Sequence, residues 1–288
     1  MKAYLALNTA MGLCSKPSLR DYWSKYWLTR TPFRDIMSRY RYERLSCFLH
    51  YANNEDQVQR YDEGYDPLFK IKPLLNTVEP LYETVYVSGR NLSIDETIVK
   101  YKGHVFFRQY LPSKLTRWGI KKYVLRESKT GYQLRHIIYT GKSTFERDSN
   151  KLFSEQVVTS LLQGYESKGH VVYLDNFYSS PELFATLESK GIGACGTVRV
   201  MRRHMPSDLK LQNLRLQKSD APVFRRAGNL VACAWHDIKR AHFLSTLHTD
   251  NIISKRIRHR AGTHGYRTVE KPVIQCPCSG FQSSLLFF

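Results

Sequence analysis

The chain has 288 residues, enough for one large domain or two with a substantial core. Its 42% hydrophobic and 13% aromatic content is that of a folding chain and excludes wholesale disorder, and no run of about 18 apolar residues marks a membrane span. Forty-four Lys and Arg against 25 Asp and Glu give a net charge of +19, which favours a polyanionic partner through counterion release. The excess grows along the chain, from 13 basic and 10 acidic groups in residues 1–90 to 15 and 5 in residues 201–288. Charge of this kind suits nucleic acid, a ribosome or an anionic membrane surface, and composition alone does not separate them.

The first ninety residues read as helical. Residues 1–13 are mildly apolar, carry one Lys and are broken by Asn8 and Thr9. They predict a chain that starts inside a helix rather than a signal peptide. Thr31-Pro32 offers an N-cap and a Pro at the first helical position, with Phe33, Ile36, Met37 and Tyr40 following at helix spacing. Leu45, Phe48 and Leu49 continue the apolar face. Residues 53–66 read as a polar loop, and residues 67–86 as a second helical region that Pro73 and Pro80 kink or break.

Near Gly89 the period changes. Strands are expected at 91–101, 123–126 and 132–139, with Ser128 to Gly131 as a hairpin turn. A helix over 151–163 follows, ended by Gly164. His170 to Leu174 is a short apolar strand of the buried kind. Ser180-Pro181 then caps a helix to about Lys190, with Gly191 beyond it, and Thr197 to Val200 reads as one more strand. Past Met201 the pattern is less regular, with short strands expected at 230–235 and 241–247 and a basic loop at 255–271. This order predicts an α/β (α+β mixed) fold, a mixed sheet with helices.

The six cysteines, at 14, 47, 195, 233, 276 and 278, form no C-x-x-C pair, and Cys276-Pro277-Cys278 is too tight for a zinc knuckle. Free thiols in a reducing compartment are the expectation. His259 and His264 read as solvated side chains of a basic loop. Asp95 lies inside the first strand and Asp175 at the carboxyl end of the buried strand, where open α/β sheets place ligand and metal groups. If those strands are neighbours, the two carboxylates converge on one site that suits Mg²⁺ and phosphodiester chemistry. The plain alternative is a pair of turn-forming aspartates. Glu96 should point to the opposite sheet face, toward solvent. Lys114, Arg117, Lys121 and Lys122, interleaved with Trp118, combine phosphate-pairing cations with a stacking ring, or form a solvated loop whose Trp packs on the core.

Several segments go beyond spacing. Leu92-Ser93-Ile94-Asp95-Glu96, Tyr110-Leu111-Pro112-Ser113-Lys114 with Gly119-Ile120-Lys121, and Leu174-Asp175-Asn176-Phe177-Tyr178-Ser179-Ser180 resemble, in order and spacing, those of piggyBac-type transposases. So do Arg20-Asp21-Tyr22-Trp23-Ser24, Ser38-Arg39-Tyr40-Arg41-Tyr42 with Leu49-His50-Tyr51, and Gly196-Thr197-Val198-Arg199. Lys271-Pro272-Val273-Ile274 looks like the start of that family's last catalytic-core strand. The resemblance runs from about residue 1 to residue 274.

It implies an RNase H-like core with three metal-binding aspartates, which cuts and joins DNA at TTAA targets with two Mg²⁺ ions, in a nuclear protein that dimerises. Asp95 matches the first aspartate and Asp175 the second. Residues 1–90 then look like the first part of a helical dimerisation and DNA-binding domain. Residues 91–200 match the core, residues 201–265 an insertion domain, and residues 266–288 the start of the last core strand followed by a divergent tail. Where the family continues into a Gly-Gly-Val-Asp-like motif bearing the third aspartate, this chain has Cys276 to Phe288, and no Asp or Glu follows Glu270. The expectation is a DNA-binding, transposase-derived chain with an incomplete metal site, with no membrane and no small-molecule substrate. Its alternatives are an active transposase whose third carboxylate is Glu270 or comes from a partner chain, and a basic protein-interaction module without a nucleic-acid role.

Overall fold

The computed structural model describes residues 1–112, 116–141, 144–145, 151–210, 214–217, 220–236, 239–258 and 266–272, with backbone alone at 253–258 and 266–270. The chain falls into two compact units, Met1–Val78 and Glu79–Phe288.

In the first unit, α1 (Lys2–Leu13), α2 (Phe33–Ile36) and α3 (Arg39–Phe48) close around Tyr4, Leu7, Tyr22, Phe33, Met37 and Tyr42. The rings do much of the packing: Tyr22 stacks on Phe33 at 4.9 Å, and Trp23 meets Phe33 edge-on at 5.9 Å. Thr31 does not cap a helix; its hydroxyl donates to the Tyr22 carbonyl at 2.5 Å, and Pro32 holds the N-cap position. The pattern expected as one helix from Phe33 to Tyr40 breaks at Met37, which is extended (φ −155°). Ser38 then starts α3 by accepting from Arg41 N–H.

Pro73 and Pro80 do not break the second helical region. Helix α4 (Lys72–Val85) runs through both. Pro73 sits in the first turn, where its missing N–H would have no partner, and Pro80 costs the helix one internal bond.

The second unit is built on a sheet of nine strands among the described residues. Its strands are β1 (Asn91–Lys100), β2 (Gln109–Tyr110), β3 (Trp118–Glu127), β4 (Gln133–Ile138), β5 (Val171–Leu174), β6 (Gly193–Thr197), β7 (Val223–Ala227), β8 (Leu230–His236) and β9 (Arg240–Ser245). They lie in the order β2-β3-β1-β5-β6-β9-β8-β7, with β4 also on β3. β1, β5 and β6 are mutually parallel and every other pairing is antiparallel, so the sheet is mixed. Segment 201–265, expected as an insertion, contributes β7, β8 and β9 to this same sheet.

Helices α5 (Phe153–Leu161) and α6 (Pro181–Ser189) cover one face. Val157, Val158 and Leu161 of α5 and Leu183, Phe184 and Leu187 of α6 meet Leu92, Ile94, Leu125, Val172 and Leu174 in one core. Each such side chain contributes about 1.5–3 kcal/mol by leaving water. Ser180 caps α6 by accepting from Leu183 N–H, as expected. Two other predicted elements move. The strand expected at 197–200 is β6, from Gly193, because its parallel pairing to β5 runs from Val171↔Gly193 to Leu174↔Gly196. The basic loop expected at 255–271 contains β10 (Ile252–Arg258) and β11 (Tyr266–Pro272), an antiparallel pair forming a separate two-stranded sheet.

Candidate functional site

β1 and β5 pair in parallel with Ile94 beside Leu174, so Asp95 and Asp175 each lie one step further along, at the same level. Neighbouring strands are about 4.8 Å apart, so the pairing sets Asp95 and the first residue past β5, Asp175, at neighbouring backbone positions. Both also make local bonds, and Asp175 opens a turn, its carbonyl accepting from Tyr178 and Ser179 N–H. Asp95 Oδ1 accepts from Glu96 N–H at 2.7 Å, and Asp175 Oδ1 accepts from Phe177 N–H at 2.5 Å. On the other side of β5, Gly196 lets β6 approach closely, because a Cβ there would lie 2.1 Å from the Leu174 carbonyl oxygen and 2.9 Å from Ser179 Oγ.

Glu96 departs from expectation. It does project to the face opposite Asp95, but that face is the helix-covered one, and Glu96 is half-buried. The Tyr178 hydroxyl donates to its Oε2 at 3.4 Å. Burial, then the charges of Glu96, Asp95 and Asp175 among its neighbours, hold the Tyr178 phenol far above its ordinary value, so it stays a donor. On the Asp95 face, burial lowers the pKa of Arg126 while the Asp95 charge opposes that shift.

Carboxylate oxygens are the donors Mg²⁺ prefers, and one such ion is commonly held by one or two carboxylates with water and phosphate oxygens. Among the described residues no group of three His, Cys, Asp or Glu is placed to hold a metal ion. The pair therefore fits a single ion by donor type and is short for two. Glu270 lies on β11, opposite Ser254, in the two-stranded sheet and not in the sheet that carries the aspartates. Lys271 and Pro272 close β11; Val273, Ile274, the tail from Cys276 to Phe288, His259 and His264 lie outside the described residues.

Strand alternation separates the basic candidates. Arg117 and Trp118 line a groove of about 640 Å³ with Lys100, Tyr101, Lys102 and Arg108. Trp118 is half exposed, packs on Tyr110 at 4.7 Å and carries the Arg108 guanidinium 4.8 Å from its ring centre. Lys121 lies on the other face, its Nζ 4.7 Å from the Tyr123 ring centre. Lys122 turns inward, its ammonium donating to Gln133 Oε1 at 2.7 Å, and burial followed by Arg126 lowers its pKa. Lys114 lies outside the described residues. Lys100, Lys102 and Arg108 were not among the sequence candidates, although Lys100-Tyr101-Lys102 is itself a basic and aromatic run at the end of β1.

The second unit is a mixed sheet with Asp95 and Asp175 level on adjacent parallel strands and helices on one face, an RNase H-like fold shared with the piggyBac transposase compared below. Residues 1–274 match the family described as Transposase IS4, and the chain belongs to that family, among its piggyBac-type members. It is 23% identical over 248 residues to human PiggyBac transposable element-derived protein 2 and 26% identical over 248 residues to human PiggyBac transposable element-derived protein 3. Each alignment covers 82% of this chain and 40% of the relative, so the chain spans under half the length of these proteins. The fold matches the piggyBac transposase in its synaptic complex with hairpin DNA, with a TM-score of 0.76 at 22% identity, over 87% of this chain and 52% of that one.

Proposed function

We propose that this chain is a DNA-binding, transposase-derived protein that holds DNA across the strand ends of its core without completing cut-and-paste chemistry. The groove of Lys100, Lys102, Arg108, Arg117 and Trp118 carries the reading. Four cations around an exposed indole match a phosphate backbone and a stacking base better than a protein surface. Lys100 is five residues beyond Asp95 on β1, about 17 Å along the strand, so DNA in the groove reaches toward the aspartate pair. The similarly folded piggyBac transposase was solved with hairpin DNA.

In this reading residues 91–200 are the core and Asp95 and Asp175 hold one Mg²⁺, which would polarise a phosphate oxygen. In-line displacement by two ions needs a further carboxylate. The reading extends to a nuclear protein that pairs with a second copy. Sedimentation of the chain with and without duplex DNA checks the pairing, and imaging of the tagged chain in cells checks the location.

The direct test is fluorescence anisotropy of duplex DNA over a range of salt. Log affinity should fall linearly with log salt, and replacing Lys100, Arg108 and Arg117 with Ala should reduce the slope by about 0.9 for each phosphate no longer neutralised. An unchanged slope and affinity in the triple variant would overturn the groove assignment.

A further inference from the structure

Two basic side chains of β3 cross the sheet face that carries Asp95. In the pairing of β1 with β3, Ser93 stands opposite Arg126, Asp95 opposite Val124 and Thr97 opposite Lys122. Residues directly opposite one another share a face, so all six project from the side away from the helices.

Arg126 does not stay at its own level. Its Nη2 donates to Thr97 Oγ1 at 2.5 Å. Thr97 is four residues along β1 from Ser93, about 13 Å of strand. To reach it the side chain stretches along β3 past Val124, and therefore past Asp95. Lys122 leans the other way, donating to Gln133 Oε1 at 2.7 Å, and Gln133 stands opposite Arg126 on β4. The two side chains thus run past each other over Val124, which is fully buried.

We propose that Arg126 is a built-in counter-charge for Asp95 that weakens the grip of the acid pair on a divalent ion. The proposal rests on the one-ion reading of Asp95 and Asp175 above. Three features support it. The guanidinium is anchored at Thr97 rather than free to swing into solvent. It is half-buried and never loses its proton, so its charge is permanent and less screened than one on the surface. The Asp95 charge also acts on it, opposing the effect of burial, and Arg126 in turn acts on Lys122. Mg²⁺ gives up its water reluctantly and is held by carboxylate charge. At Asp95 it would meet a carboxylate already balanced by one cation, with a second cation on the same face.

The test titrates the full chain with Mn²⁺ and reads the free ion by electron paramagnetic resonance. Arg126→Gln should bind one Mn²⁺ about 10-fold more tightly than wild type. Arg126→Lys, which keeps the charge, should stay near wild type, and Arg126→Gln with Asp95→Asn should lose the gain. Thr97→Val releases the guanidinium from its anchor and should give a smaller gain in the same direction. It replaces Arg126→Gln if the urea midpoint shows that variant unfolded. Equal affinity in wild type and the variant used, a gain that survives Asp95→Asn, or Arg126→Lys as tight as Arg126→Gln overturns the counter-charge alone. No Mn²⁺ bound by wild type or by any variant overturns the one-ion reading and the counter-charge with it.

Discussion

At Gly196 the backbone of β6 passes so close to the end of β5 that a methyl group would sit 2.1 Å from the Leu174 carbonyl oxygen. Gly119 on β3 stands in the same relation to Val99, at 2.3 Å from its carbonyl oxygen. Neither obstacle is the movable end of a side chain. Gly196→Ala and Gly119→Ala should therefore each destabilise the fold by about 1–3 kcal/mol or more, read as a lower midpoint in urea. His136 supplies a pH-dependent prediction. Gln133 donates to its Nδ1, so the ring is the Nε2–H tautomer and donates to Glu79 across 3.1 Å. Burial first, then Lys122, pushes its pKa down to about 4. A depressed value means that the unfolded chain binds the proton first. The stability His136 contributes is full above about pH 6.5 and is lost as pH falls from there toward 4, an effect of about 1–3 kcal/mol. His136→Gln should flatten that part of the stability profile relative to wild type; identical profiles would show that the ring does not titrate in this way. The aspartates were legible because an acid inside an apolar strand is conspicuous. The surroundings of Glu96 were not, since alternation gives the face a side chain takes but not that Tyr178 is packed there.

Among the elements, those whose signals are local came through: the caps of α6, the hairpin between β3 and β4, and the buried run of β5. Those fixed by distant partners did not. β6 is rich in small residues and carries little strand propensity, and it is defined by pairing with β5. β10 and β11 are so basic that they read as loop, and only their mutual pairing makes them strands. α4 survives Pro80 because side chains hold its second half to the sheet. Arg135 forks onto both oxygens of Glu83, the Tyr165 hydroxyl donates to Glu83 at 2.9 Å, and the Tyr132 hydroxyl donates to the Tyr82 carbonyl at 3.1 Å. Arg135→Ala removes the fork and the bond to the Gln163 carbonyl. At a half-exposed site this should cost about 1–2 kcal/mol. Amide exchange in residues 79–85 should accelerate relative to the rest of the sheet; uniform acceleration would place the loss elsewhere.

For the molecule as a whole, positive charge and the acid pair pull in one direction. In the proposed function the charge excess would supply affinity for DNA that does not depend on sequence, and the groove of Lys100, Lys102, Arg108 and Arg117 would focus it beside β1. Candidates adjacent in the chain do different work in the fold, with Arg117 and Trp118 in that groove, Lys121 over the Tyr123 and Phe177 rings, and Lys122 tied to Gln133. Binding of DNA by a chain whose described residues bring two carboxylates, and not a third, to the candidate site is the central proposal. Incubation of the purified chain with transposon-end duplex and Mg²⁺, at a protein concentration where anisotropy shows the DNA bound, tests it most directly. Bound, uncut DNA is expected, both for wild type and for Asp95→Asn with Asp175→Asn. Cleavage by wild type that the double variant abolishes would show a complete catalytic centre and contradict it.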